Sequence, residues 1–183
     1  MQNADKREEI QMNKRFETIQ SKRLTIAAFD MKYLEDYYHG FDKEITKYQY
    51  PDPFDSLESA RKCLQEFLDA MAHGEMLFFA ILDNDGTFVG SLEVHGLTEK
   101  TPELGIWITK DQQGKGYAYE ALACVLAKFK QSRPDTWYVY EADIRNAPSM
   151  KLVSRFKFQK KEIDEFTTES GKELKLQQYF VQL

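Results

Sequence analysis

Gln113-Gly114-Lys115-Gly116-Tyr117-Ala118 is the stretch whose residue types and spacing first suggest chemistry. It stands between an apolar run, Leu104-Gly105-Ile106-Trp107-Ile108, and a strongly periodic segment reaching about residue 130. A strand, a glycine turn and the start of a helix, in that order, make a seat for an anion. The first N–H groups of a helix have no intrahelical partner, and the helix dipole adds partial positive charge there. Glycines at 114 and 116 permit positive φ and let a ligand approach the backbone closely. No Ser, Thr, Asp or Asn occupies the usual capping place, so the donors stay free for a ligand. Lys115 either adds charge to a bound phosphate or is a solvated turn residue. Spacing excludes two kinds of phosphate site. A P-loop needs Gly, four residues, then Gly-Lys-Ser/Thr. A dinucleotide fingerprint needs a third glycine where Tyr119 stands, in an all-parallel setting.

The elements around this turn follow from periodicity. Residues 18–28 read as a first strand, and Asp30 caps a short helix over 31–39. A loop follows with Tyr48, Tyr50, Pro51, Pro53 and Phe54, composed as an ordered loop able to line an acceptor pocket or fold over the core edge. Asp55 and Glu58 have capping-box spacing ahead of a helix with Leu57, Ala60, Leu64, Phe67, Leu68 and Met71 on one stripe. Residues 76–82, 87–95 and 103–108 form three strands of an antiparallel meander, the first two joined at Asp83-Asn84-Asp85-Gly86. Ala118, Ala121, Leu122, Val125, Leu126 and Phe129 make the clearest helical stripe in the chain. A strand over 136–144 then completes a βαβ unit with one parallel pair. A short helix capped by Asn146 and a final hairpin, 158–166 and 173–183, close the chain.

Composition limits the function classes. A chain of 183 residues, 42% hydrophobic and 30% charged, has the size and make-up of one globular domain. That domain is expected over 17–183, behind a tail or frayed helix at 1–16. A net charge of -5 without any basic block argues against nucleic-acid binding. No apolar run approaches the ~20 residues of a membrane span, and the first residues lack a signal-peptide core, so a cytoplasmic location is expected. Cys63 and Cys124 read as buried, reduced thiols. His39, His73 and His95 lack metal-ligand spacing, so no metal is expected and each reads as a surface or loop residue.

Placed after the fourth strand and opening a long helix, Gln113-x-x-Gly116-x-Ala118 resembles the acetyl-CoA pyrophosphate motif of the GNAT superfamily of N-acetyltransferases. The resemblance extends over about 17–183. Ser21-Lys22-Arg23-Leu24-Thr25 is similar to that family's opening strand, Glu103 to Ile108 to its fourth, and Asn146-Ala147-Pro148-Ser149 with Phe156-Lys157-Phe158 to its second cofactor motif. With the proline-rich loop, these features resemble the ribosomal-protein N-terminal (Rim-type) branch. Two positions depart from the pattern. Lys157 stands where glycine is usual, and Val153 where many members carry an acidic tyrosine.

The resemblance implies an α/β fold: a mostly antiparallel seven-stranded mixed sheet, with its fourth and fifth strands parallel and helices on both faces. It implies that the pantetheine arm of acetyl-CoA enters between those strands and pairs with the backbone of Ile106, Trp107 and Ile108. The pyrophosphate then lies on the amides of Gln113, Gly114, Lys115, Gly116, Tyr117 and Ala118, with Asn146 beside the arm or acting as a plain helix cap. Direct acetyl transfer needs a neutral amine, a donor for the thioester oxygen and stabilisation of the departing thiolate. Glu103 is the first choice of base, Glu93 the second and Glu141 the third. Ser149 is the candidate to hydrogen-bond the thiolate. The expected function is N-acetyl transfer to a primary amine: a protein N-terminus, a polyamine or a small molecule. The expected state is monomer or homodimer, without nucleic acid or membrane. A non-catalytic acyl-CoA-binding sensor or interaction protein on the same fold is the alternative.

Overall fold

The computed structural model describes residues 18–183; the tail expected at 1–16 lies outside them. One eight-stranded sheet runs in the order β1-β2-β3-β4-β5-β6-β8-β7. The strands are β1 (Thr18–Gln20), β2 (Leu24–Ala28), β3 (Leu77–Asp83), β4 (Phe88–His95), β5 (Glu103–Ile108), β6 (Trp137–Asp143), β7 (Gln159–Thr167) and β8 (Glu173–Gln182). The helices are α1 (Leu34–Gly40), α2 (Leu57–Ala72), α3 (Tyr117–Ser132) and α4 (Ala147–Val153). The β5–β6 neighbours are parallel and the others antiparallel.

Seven strands were expected; the eighth arises because 18–28 is two strands folded into a hairpin. The backbone N–H of Leu24 donates to Ser21 Oγ at 2.9 Å, and Ser21 Oγ donates to Glu120 Oε1 at 2.8 Å. That reversal contains no Gly, Pro or Asn. It is fixed partly by a residue 99 positions away, so the local sequence reads as one continuous β run. The capping box of α2 also sits one residue later than Asp55/Glu58 predicts. Ser56 Oγ accepts from the Ser59 backbone and Ser59 Oγ accepts from the Ser56 backbone, each at 3.1 Å. Glu58 pairs instead with Arg61 at 3.8 Å.

Alternation along the strands supplies two cores, one on each face of the sheet. On one face Leu122, Val125 and Phe129 of α3 pack on Leu77, Phe79, Leu104 and Tyr138. Phe129 stacks on Tyr138 with ring centroids 4.9 Å apart and planes 7° apart. On the other face Tyr37 of α1, Phe41 just past its end and Leu64 of α2 meet Phe78, Phe88 and Trp107. Covered on both sides, β3 is a continuous apolar run rather than an alternating one. Gly90 of β4 lies opposite Ile108, and a Cβ there would collide with the Trp107 carbonyl, so glycine is what lets these strands close.

β6 ends on Asp143, whose side chain has no solvent access. Its carboxylate accepts Arg145 Nε at 2.7 Å, Arg145 Nη2 at 2.8 Å, and the backbone N–H groups of Arg145 and Lys175 at 2.9 Å. Burial works against the charge, but these bonds, led by Arg145, outweigh it and hold the carboxyl at about 2. That is below the unfolded value of about 3.9, so its stabilisation is complete above about pH 4 and is lost as pH falls toward 2. Asp143→Asn should cost about 1–3 kcal/mol near neutrality, where it leaves buried donors poorly paired. Urea unfolding of both proteins checks this. The gap should narrow on acidification, and a gap independent of pH would contradict it.

Candidate active site

β5 leads through a 3-10 turn (Lys110–Gln112) into the two glycines, which adopt φ of 78° at Gly114 and 84° at Gly116. Gly116 is the residue that opens α3, and no side chain hydrogen-bonds the helix start there. The first turn of α3 therefore offers free N–H donors with the favourable end of the helix dipole. The turn is clamped from the β1–β2 reversal. Arg23 Nε donates to Glu120 Oε2 at 2.7 Å, the Arg23 backbone N–H to Glu120 Oε1 at 2.9 Å, and Arg23 Nη1 to the Lys115 carbonyl at 2.9 Å. Burial opposes the charge on Glu120, but the bonds from Ser21 and Arg23 outweigh it and hold its carboxyl below the usual range. Lys115 donates from Nζ to Gln112 Oε1 at 2.6 Å and does not line the cleft that the rest of the turn borders.

That cleft, about 1590 Å³, exists because β5 and β6 part company. They pair only at Glu103↔Val139 and Leu104↔Tyr140. Beyond that, Gly105 to Ile108 and Glu141 with Ala142 border an opening in the sheet. The backbone carbonyl of Ile108 is met by Gln113 Nε2, which donates at 3.1 Å.

Register sorts the expected residues onto two sides of the opening. Glu93 lies opposite Gly105 and His95 opposite Glu103, and Glu103 shares a face with Glu141. These three carboxylates and His95 stand on the α1/α2 side of the cleft. Glu93 Oε1 accepts Ser91 Oγ at 2.8 Å and Tyr37 Oη at 3.3 Å, while Glu93 Oε2 lies 3.8 Å from His95 Nε2. Glu141 Oε1 accepts Gln178 Nε2 at 2.7 Å. Among the described residues, none hydrogen-bonds the Glu103 carboxylate. Glu103 stands at the exposed head of β5, and its pKa is raised, by desolvation first and then the charge of Glu141, against a smaller opposing pull from His95. His95, expected at the surface, is half-buried here. Burial disfavours its charge, but the Glu93 contact and then the charges of Glu93 and Glu103 lift its pKa above the ordinary value.

On the α3/α4 side stand Ile106, Ile108, Asn146 and Ser149. Asn146 Oδ1 accepts the Ser149 backbone N–H at 3.2 Å and so caps α4. Ser149 Oγ lies 2.7 Å from Tyr140 Oη, a buried phenol. Val153 points into the core at 2% exposure, and Lys157 keeps negative φ, so the junction there is not left-handed. Cys63 and Cys124 are free and half-buried rather than buried, and Cys63 lines the cleft with its thiol pushed up to about 11 by burial.

The far wall of the cleft is the Tyr/Pro loop, tied to the β7–β8 turn. Lys172 Nζ donates to the carbonyls of Thr46 at 2.9 Å and Gln49 at 2.8 Å and pairs with Asp52 at 2.7 Å. Ser170 Oγ donates to Asp52 Oδ2 at 2.7 Å, and Tyr50 meets Phe166 edge-on. Glu120, Tyr140 and Lys172 were not singled out from sequence, Arg23 entered only as part of the opening-strand resemblance, and His95 only as a surface or loop residue. Two left a trace: Glu120 is an acid in the first turn of a helix, and Tyr140 alternates with Tyr138. The partners of Arg23 and Lys172 lie 92 to 126 positions away and leave no local pattern.

A family profile described as the acetyltransferase (GNAT) domain matches residues 23–159. A curated protein of Bacillus licheniformis, "Uncharacterized N-acetyltransferase p20", is 26% identical over 150 residues, spanning 79% of this chain and 83% of that protein. The solved structure of RimL, a ribosomal L7/L12 alpha-N-protein acetyltransferase in complex with coenzyme A, is similar with a TM-score of 0.82 at 18% identity, covering 91% of this chain and 98% of that one. Mycobacterium smegmatis RimJ in complex with CoA-disulfide matches at 0.77 and 19% identity, covering 87% and 81%. The microcin C7 self-immunity acetyltransferase MccE, in complex with acetyl-CoA and AMP, matches at 0.79 and 16% identity, covering 89% and 94%. At such identities the structures share the fold.

The clamp on the glycine turn is testable without any ligand. Glu120→Gln keeps the shape but weakens charge-assisted bonds from Ser21 and Arg23, at a cost of about 1–2 kcal/mol. Thermal unfolding at neutral pH should register it as a lower midpoint. An unchanged midpoint would mean the clamp contributes nothing to the fold.

Proposed function

The chain belongs to the GNAT acetyltransferase family, and on that premise we propose that it moves an acetyl group from acetyl-CoA directly to a primary amine. The observation that carries this reading is the opening between β5 and β6 after two register pairs, continuous with the uncapped first turn of α3. The residues present suit acetyl-CoA. Gly116 leaves the α3 donors unblocked for a pyrophosphate, with Gln113, Gly114, Tyr117 and Ala118 around them. The parted edge of β5 at Ile106, Trp107 and Ile108 offers backbone groups to the amides of the pantetheine arm. Lys115 contributes its backbone, its side chain being engaged with Gln112.

The chemistry follows from the two sides of the opening. An amine of pKa about 8–10 is mostly protonated near neutrality and must lose a proton before its lone pair attacks. Glu103 has a raised pKa and, among the described residues, no hydrogen-bond partner for its carboxylate, which suits it to take that proton directly or through water. Glu93 has three polar neighbours and suits an organising role, holding His95 and Tyr37. Backbone N–H groups along the β5 edge supply donors for the thioester oxygen. Ser149, on the opposite side, hydrogen-bonds the departing thiolate. The C–N bond forms as the C–S bond breaks, with no covalent enzyme intermediate.

The wall built from the Tyr/Pro loop and the last hairpin suits it to face the acceptor. The fold shared with RimL and RimJ supports a Rim-type branch, and RimL, an alpha-N-protein acetyltransferase, supports a protein N-terminus as acceptor beside a polyamine or small amine. Val153 in the core, where a phenol is usual, favours a second reading, a sensor that binds acyl-CoA without turnover.

Thiol release from acetyl-CoA with N-terminal peptides, polyamines and small amines separates the two. Release with at least one amine is expected, and tight cofactor binding with no release would favour the sensor. Gly116→Asp places a charge and a strained φ at the mouth of α3. Acetyl-CoA affinity by calorimetry should fall at least about tenfold, the like-charge contact alone costing that much. Glu103→Gln should lower kcat by about a hundredfold or more. In the wild type kcat/KM should fall as pH drops through a value above the ordinary carboxylate range, because the protonated acid accepts nothing. The variant should lack that limb, and an unchanged profile would reassign the base to Glu93 or Glu141.

A further inference from the structure

We propose that Tyr140 is a positioning residue for the leaving-group end of the cleft, donating its phenolic hydrogen bond to Ser149 Oγ and thereby aiming the Ser149 proton at the cofactor sulfur. The proposal rests on the role given to Ser149 above and explains how a serine does this without a tyrosine on α4.

Two bonds fix Ser149. Its backbone N–H is held by Asn146 Oδ1 at 3.2 Å, and its Oγ lies 2.7 Å from Tyr140 Oη. A serine in a first helical turn is free to swing between rotamers or to bond a carbonyl of its own chain. Here, among the described residues, the Ser149 hydroxyl meets only Tyr140. Either oxygen is able to donate in that pair, and chemistry decides the direction. A phenol is the stronger acid and its oxygen lone pairs are drawn into the ring, whereas an aliphatic hydroxyl oxygen is the better acceptor. Tyr140 therefore donates, and the Ser149 proton must point elsewhere. The remaining direction is the cleft, which both residues line.

Tyr140 suits this task because it cannot move. It sits on β6 at the last register pair before the strands part, is 4% exposed, and packs edge-on against Phe158 at 6.5 Å. Burial raises its pKa, against a smaller lowering by Ser149, so the phenol keeps its proton throughout the working range. A donor chain of two hydroxyls polarises its outer member, which strengthens the bond to a developing thiolate. The atoms balance without moving the Tyr140 proton. The ammonium gives up two protons, the first through Glu103 to solvent before attack and the second to Glu103 as the C–N bond forms; the C–S electron pair goes to sulfur, Ser149 stabilises that charge, and solvent protonates the released thiolate.

The test is a double-mutant cycle on full-length protein with the best amine found. Tyr140→Phe keeps every ring contact and should lower kcat about five- to tenfold, the worth of one hydrogen bond, with amine KM and acetyl-CoA Kd unchanged. Ser149→Ala, on a half-buried helix position, should lower kcat at least as much. Adding Tyr140→Phe to Ser149→Ala should change nothing further. If Tyr140→Phe costs the same in both backgrounds, its role is structural and the proposal falls. It falls too if either single variant matches wild type. If the wild type itself acetylates no amine while binding acetyl-CoA, the transferase reading fails first.

Discussion

Two strands that pair at two positions and then diverge create the constraint on which this molecule depends. Backbone N–H and C=O groups left without sheet partners are costly when buried. A gap in a sheet therefore persists only where something else satisfies its edges and holds the flanking strands apart. Here β5 is secured along its length by β4, and β6 by β8 over seven register pairs. Gln113 reaches back to the Ile108 carbonyl at the mouth of the gap. Asp143 ties the end of β6 to the start of β8 with a buried charge that draws donors from both. The opening is thus a stable feature of the ladder rather than a defect in it.

The helices turn that opening into a site. The stacking of Phe129 on Tyr138 fixes the C-terminal half of α3 against β6. The bonds among Ser21, Arg23 and Glu120 fix its first turn against the β1–β2 reversal. A helix pinned at both ends can present bare amides at its start, which a frayed helix cannot do. Because side chains alternate along β5 and β6, the same gap receives carboxylates from one face and hydroxyls from the other. The carboxylates and the hydroxyls are thereby separated by the thickness of one sheet.

Much of this is legible in the residues alone. Period-3.6 stripes mark α2 and α3, and the loss of a capping residue ahead of Tyr117 marks an open helix start. The alternation around Glu103 places it on the face of Gly105. What is not legible is whatever depends on distant partners. The reversal at Ser21 reads as continuous strand because the residue that helps stabilise it, Glu120, belongs to another element. His95 looks like a loop residue until Phe67 and Glu93 enclose it. The shift of the α2 cap from Asp55 to Ser56 has a smaller cause: two serines three apart satisfy each other as well as an acid would, and local spacing does not choose between adjacent registers.

The latch between Lys172 and the Tyr/Pro loop has a consequence for how the molecule is made. Its bonds join residues 118 to 126 positions apart. The gap-forming unit, β5 through β6, is contained in residues 103–143. During synthesis from the N-terminus, β5 through β6 is present in the chain well before Ser170 and Lys172 exist. The wall opposite the gap becomes possible only when the last hairpin emerges, and so does the β8 partner that holds β6 in its place.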